Sequence, residues 1–293
     1  MERAMQSNIF IAYASPSGTT RHVAQVIETA LGDHCGYILI LDIARTTAHD
    51  SFKTRLAEAG PDDCLFVGSP VYRDMAVPPM MAFIEALADA NGCRAVPFVT
   101  WGGAFSGIAL WQMGKTMVQS GFRLAGGVKV LARHAMMCDD PHPVGKGHPD
   151  AEDDAMVGGF AREISTRLAG RRLAELDLEQ LDYHLPQRTV EVKNKLDQPW
   201  LIIPKKVDEG KCTQCGTCQE VCPVGAVELD DWPIFDKRCF DCFNCIRLCP
   251  EEAFIPAIPI EKIRVMIVER VERFIEQPLT QVFMAWGQTA CQL

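Results

Sequence analysis

From residue 8 onward the chain alternates short apolar runs with longer stretches in which apolar residues return every three or four positions. The runs at 8–14, 36–42, 63–69, 95–101 and 127–132 are rich in Ile, Leu, Val and Phe and show little polar alternation. That pattern belongs to strands covered on both faces, as in a parallel sheet, and not to half-exposed antiparallel strands. Helical periodicity fills the intervals at 19–31, 50–59, 78–90, 108–120 and 150–168. Five strand-helix units predict an α/β fold with a doubly wound, five-stranded parallel sheet, since each right-handed crossover lays a helix on one face.

Past residue 170 the pattern breaks. The stretch RRLAELDLEQLDYHLPQ offers one short leucine-bearing helix, followed by a Pro- and Lys-containing extended stretch to Lys206, so residues 171–206 read as a linker between a domain at 8–170 and a small unit at 207–259. Residues 260–293 form a C-terminal extension. In it Ile260, Ile263, Ile267, Val271 and Phe274 share a helical face until Pro278 ends the pattern. This face reads as a helix packed on one of the two domains, with a homodimer seam as the alternative.

Composition sharpens the picture at two points. Over 293 residues, hydrophobic and charged fractions of 48% and 23% are those of an ordinary folded chain and exclude disorder. A net charge of -9, from 29 Lys and Arg against 38 Asp and Glu, excludes a general nucleic-acid surface and favours basic partners. The first apolar run is too short for a signal core, and no apolar stretch reaches the roughly 18 residues a membrane span needs. A cytoplasmic protein is expected, and in that reducing setting its 13 cysteines read as thiolate ligands before disulfides.

Eight of those cysteines lie between Cys212 and Cys249, and the order C-x2-C-x2-C-x3-C-P occurs twice. CTQCGTCQEVCP from Cys212 returns as CFDCFNCIRLCP from Cys239, which predicts a pseudo-two-fold unit. A structural zinc site uses two separated cysteine pairs and needs no third cysteine at this spacing. The motif resembles the bacterial two-cluster ferredoxins, small α+β domains in which three close thiolates wrap one cubane and the fourth reaches the other. The resemblance implies two 4Fe-4S clusters, cluster one on Cys212, Cys215, Cys218 and Cys249, and cluster two on Cys239, Cys242, Cys245 and Cys222. Cys35, Cys64, Cys93, Cys138 and Cys291 lack this spacing and read as small hydrophobes.

Three loops of the larger domain carry a second kind of chemistry. Ser15, Ser17, Gly18, Thr19 and Thr20 join the first strand to the first helix, where N-H and O-H donors suit a phosphate; taken alone, the run also reads as a capping turn. GSPVYRDMAVPP and TWGGAFSGIAL follow the third and fourth strands. In a sheet of order 2-1-3-4-5 these loops meet beside strand one at the switch point. Together they resemble the flavodoxins, which implies FMN, with Pro70, Val71, Tyr72, Arg73 and Asp74 along one side of the ring and Gly102, Gly103, Ala104 and Phe105 along the other. Tyr72 and Phe105 are then ring-stacking residues, or otherwise core or rim aromatics. One departure from many flavodoxins is that no glycine follows Tyr72, which disfavours the backbone flip that bonds the reduced ring nitrogen. Arg73 either places positive charge near the ring or is a solvated loop charge.

Asp139, Asp140, His142, His148 and Asp150 gather after the fifth strand, but their Pro- and Gly-rich loop reads as flexible before it reads as a metal site. His22 falls on the exposed face of the first helix, and Gly158-Gly159 reads as a packing point. The chain as a whole resembles flavodoxin-ferredoxin fusion proteins, which implies electron transfer to or from a redox protein partner. Because no acid-base pair is legible, that reading stands ahead of an oxidoreductase reducing a quinone, nitro compound or corrinoid at FMN. It also stands ahead of a ferredoxin carrying a flavin-free docking domain.

Overall fold

The computed structural model describes residues 7–32, 34–44, 49–87, 89–137, 140–274 and 276–285. Cys138, Asp139 and Cys291 lie outside them. Strand β1 (Ile9–Tyr13) is buried along its whole length and pairs in parallel with β2 (Ile38–Asp42) on one side and β3 (Cys64–Tyr72) on the other. β5 (Arg94–Trp101) and β7 (Gly126–Leu131) continue the parallel series beyond β3. The strand order of the expected 2-1-3-4-5 sheet is thus present. β3 runs past the expected 63–69: it continues in register through Pro70, opposite Thr100, and turns back into the short β4 (Met75–Ala76). Another two-residue strand, β6 (Arg123–Leu124), pairs with β5.

The helices divide between the faces. α1 (Thr19–Leu31) and α5 (Ala151–Ala169) cover one with Val23, Ile27, Phe160 and Ile164, and Gly158 brings α5 against Val26 and Ala30 of α1. α2 (His49–Ala57), α3 (Pro78–Glu85) and α4 (Ala109–Gln119) cover the other through Phe52, Phe83, Ile84 and Met113. Residues 171–206 are a packed strap: Leu173, Leu176 and Leu181 are buried against the larger unit, and α6 (Pro186–Lys193) follows.

The cysteine-rich unit pairs β8 (Lys205–Val207) with β11 (Phe254–Pro256), and β9 (Val227–Leu229) with β10 (Pro233–Phe235). The single turns α7 (Thr217–Glu220) and α8 (Asn244–Arg247) repeat in each half. The pseudo-symmetry extends to the backbone, since left-handed residues Gln214, Gly216 and Gly225 of the first motif correspond to Asp241, Phe243 and Glu252 of the second. Helix α9 (Ile260–Phe274) then crosses back to the larger unit. Strand β12 (Gln281–Met284) closes the sheet, antiparallel to β7 with Val282 opposite Val128. The expectation of five strands is therefore corrected to a mainly parallel sheet with a sixth, antiparallel edge. The physical reason is that β7 would otherwise leave an open row of backbone donors and acceptors.

Candidate functional site at the junction of the two units

The loop before α1 is shaped by Gly18, which caps the helix at φ 89°. Ser15 Oγ accepts from Arg21 N at 2.9 Å, while buried Thr20 bonds Thr100 Oγ1 at 2.8 Å and so tethers the loop to β5. The cysteine-rich unit docks on the same loop. Asn244 Nδ2 and Arg247 Nη2, both on α8, donate to the Pro16 carbonyl at 3.0 and 3.4 Å.

The second loop is a two-residue hairpin turn in which Arg73 and Asp74 both take positive φ, 52° and 68°. A primed turn demands this of whichever residues occupy it, and ion pairs hold the pair in place. Arg73 reaches Asp241 of the cysteine-rich unit at 3.3 Å, and Arg270 of α9 reaches Asp74 at 2.5 Å. Burial raises the Asp74 carboxyl and Arg270 opposes the shift. Gly107 is required here, because at φ +63° a Cβ would collide with the Asp74 carbonyl. In the third loop a Cβ on Gly102 would lie 2.5 Å from His134 Cδ2, and one on Gly103 2.5 Å from Val144 Cγ1. Their missing side chains make room for protein groups.

These loops open on a cavity of about 370 Å³. Of the residues read from the sequence, Ser17, Thr19, Pro70, Val71, Tyr72, Arg73, Asp74, Gly102, Ala104 and Phe105 line it; Ser15, Gly18, Thr20 and Gly103 do not. Tyr72 is stacked on Phe240 at 6.0 Å and 28°, and Phe105 on Phe274 at 5.1 Å and 24°. The far walls were not legible in the sequence: Trp200 and Ile203 from the strap, Phe240 to Phe243 from the cysteine-rich unit, and Ile263, Met266, Ile267 and Arg270 from α9. One signal was available. The second motif carries Phe240 and Phe243 where the first has Thr213 and Gly216.

A second, smaller cavity of about 20 Å³ is enclosed by Cys222, Cys239, Cys242 and Cys245, together with Phe240 and Phe243. Burial pushes the Cys242 and Cys245 thiols up to about 12, so these groups ionise only around added positive charge. Lys205 Nζ lies 3.6 Å from Cys239 Sγ and 2.7 Å from Asp241; burial opposes its charge, but these neighbours outweigh burial and hold its pKa above the ordinary lysine range. In the other half, Cys218 is buried with Cys249 packed beside it, and Cys215 is exposed. Cys222 Sγ accepts from Ala226 N, and Cys249 Sγ from Ala253 N, at equivalent positions of the two motifs. Soft thiolates in two groups suit iron-sulfur chemistry. Buried Tyr72 Oη, Trp200 Nε1 and Arg247 Nε, all around the junction, have no hydrogen-bond partner among the described residues, so polar groups of bound cofactors fit them.

A 4Fe-4S binding domain model matches residues 205–228. A ferredoxin-like protein of the nif region of Sinorhizobium fredii is 36% identical over 53 residues, covering 15% of this chain and 83% of that protein. The chain belongs to the 4Fe-4S ferredoxins, joined here to a flavodoxin-like sheet. An uncharacterized iron-sulfur protein of Methanocaldococcus jannaschii is 31% identical over 105 residues, 25% of this chain, and the chain spans only 21% of its length. A flavodoxin from the domain Archaea superposes with a TM-score of 0.42 at 18% identity, over 55% of this chain and 98% of that one. At that identity the likeness is one of fold alone. No helix among the described residues is long and apolar enough to cross a membrane.

Behind the third loop lies a buried polar network outside the ferredoxin unit. Glu276, just past α9, accepts from Lys129 Nζ of β7 at 2.5 Å and from Ser106 Oγ and N at 2.5 and 2.9 Å. Ser106 Oγ also bonds Tyr183 Oη and His184 Nε2. Lys129 inside the apolar run GVKVLA was its only trace in the sequence.

The weaker constellations resolve into structure. His148, Asp150 and Asp153 do converge, but their atoms serve the N-terminus of α5: Asp150 Oδ1 caps Glu152 and Asp153, and Asp153 Oδ2 accepts from Asp150 N and bonds His148 Nδ1 at 2.6 Å. Asp140 turns onto His142 N. His22 pairs with Asp154 at 2.8 Å, and Cys35, Cys64 and Cys93 are buried.

Proposed function

We propose that this chain passes electrons between two 4Fe-4S clusters and FMN, and exchanges them with a redox protein partner. The observation that carries the reading is the shared wall: Phe240, Cys242 and Phe243 line both the four-cysteine cavity and the cavity beneath the flavin-type loops. Phe243 holds a left-handed backbone, φ 61°, to stand there. Strain of this kind gathers at functional sites.

Each cubane carries one electron at a time, whereas FMN takes one or two. In this reading Cys222, Cys239, Cys242 and Cys245 hold the cluster nearest the flavin, and Cys212, Cys215, Cys218 and Cys249 hold the outer one, with exposed Cys215 toward a partner. The start of α1, with Ser17 and Thr19, binds the phosphate. Buried Ile267 of α9 excludes water from the ring, and the Arg73–Asp241 and Asp74–Arg270 pairs keep the two units docked. The experiment is metal, sulfide and flavin analysis of protein purified without oxygen. About eight iron, eight sulfide and one FMN per chain are expected; stoichiometric zinc without acid-labile sulfide, or no flavin after reconstitution, would overturn the reading.

A further inference from the structure

Tyr72 lines the larger cavity, and its hydroxyl is buried and unpaired among the described residues. A hydroxyl left so in a protein interior has lost water without replacing it, so an acceptor outside the polypeptide is expected. Several observations locate that acceptor. The Tyr72 ring stacks on Phe240, which lines the four-cysteine cavity. The ionisable neighbours acting on the hydroxyl are Cys242 and Arg247. Arg247 likewise has a buried, unpaired Nε, its Nη2 being engaged by Asn244 and Pro16. Two unsatisfied donors, one from each unit, thus stand near Cys242.

We propose that the Tyr72 hydroxyl donates a hydrogen bond to sulfur of the cluster held at Cys242, either Cys242 Sγ or an adjacent sulfide, and thereby sets that cluster's reduction potential. The inference rests on the assignment of Cys222, Cys239, Cys242 and Cys245 as its ligands. A donor to cluster sulfur favours the more negative, reduced state and raises the potential. Because Tyr72 belongs to the flavodoxin-like unit, docking of the two units and the potential of the inner cluster are coupled. Tyr72 therefore serves both sites: its ring walls the flavin cavity while its hydroxyl tunes the neighbouring cluster.

The test is Tyr72→Phe, which keeps the ring and removes the hydroxyl, followed by an anaerobic redox titration monitored by electron paramagnetic resonance. The inner cluster's reduction equilibrium should fall about tenfold, about 59 mV for a one-electron couple, while the outer cluster's midpoint stays unchanged. In D2O, pulsed resonance should show an exchangeable deuteron coupled to the reduced inner cluster in wild type and lost in the variant. Arg247→Lys, which keeps the charge and removes Nε, should shift the same cluster in the same direction. Two cubanes with an unmoved midpoint and a retained deuteron in Tyr72→Phe would overturn the hydrogen bond alone. A wild-type protein holding a single cubane would overturn the ligand assignment and this inference with it.

Discussion

Truncating Glu276 should loosen both the C-terminal segment and the third flavin-type loop. Lys129 and Glu276 are 1% and 4% exposed, so Glu276→Ala leaves an ammonium in the core without its counter-charge. Burial already depresses the Lys129 pKa, and Glu276 is what opposes that shift. Breaking a buried pair from one side costs about 3–5 kcal/mol. Ser106 N also loses its acceptor, about 1 kcal/mol more, whereas Ser106 Oγ keeps Tyr183 and His184. A loss of about 5 kcal/mol is expected from these two costs, read as a lower urea midpoint of the anaerobic holoprotein at constant slope. Neutralising the lysine as well, in Lys129→Met with Glu276→Ala, should recover at least half of it, because much of the cost is the stranded charge. A single variant losing less than about 1 kcal/mol, or a double variant no more stable than the single, would refute the reasoning.

Cys222→Ala and Cys249→Ala should each damage the cluster of the opposite motif and give distinguishable electron paramagnetic resonance spectra; identical spectra would dismiss the crossed ligand sets. Gly18→Asp should lose flavin and keep its iron, because a carboxylate at that loop repels phosphate and Gly18 holds φ +89°; full flavin retention would count against that placement. Burial pulls His134 down to about 4, below the ~6.5 of an exposed imidazole. The unfolded chain therefore takes up the proton first as pH falls, and stability should decline between pH 6.5 and 4 by up to about 1.4 kcal/mol per pH unit. His134→Phe should remove this component from urea midpoints measured across that window, and an unchanged pH profile would argue against it.

The central sheet was legible because β1, β3, β5 and β7 are buried on both faces and so appear as unbroken apolar runs. α1 was legible to the residue, since Gly18 and two threonines mark its start. β12 was not: four residues pair with a strand more than 140 positions upstream, and no local pattern encodes that distance. The apolar face of α9 was readable, but not that part of it would roof a cavity rather than meet a helix. The cluster thiolates were visible because their spacing is itself the chemistry. The junction was hidden because Tyr72, Phe240 and Arg247 come together only when the two units dock, and each alone looks like an ordinary aromatic or surface charge.

The most direct test of the account is rapid reduction of protein-bound flavin by a low-potential one-electron donor, comparing wild type with Cys222→Ala under anaerobic conditions. With the inner cluster damaged and flavin content unchanged, reduction of the flavin should slow by at least about tenfold, since the electron loses its relay through the wall at Cys242. A rate equal to wild type in a variant shown to lack that cluster would mean that electrons reach the flavin directly, contradicting the relay.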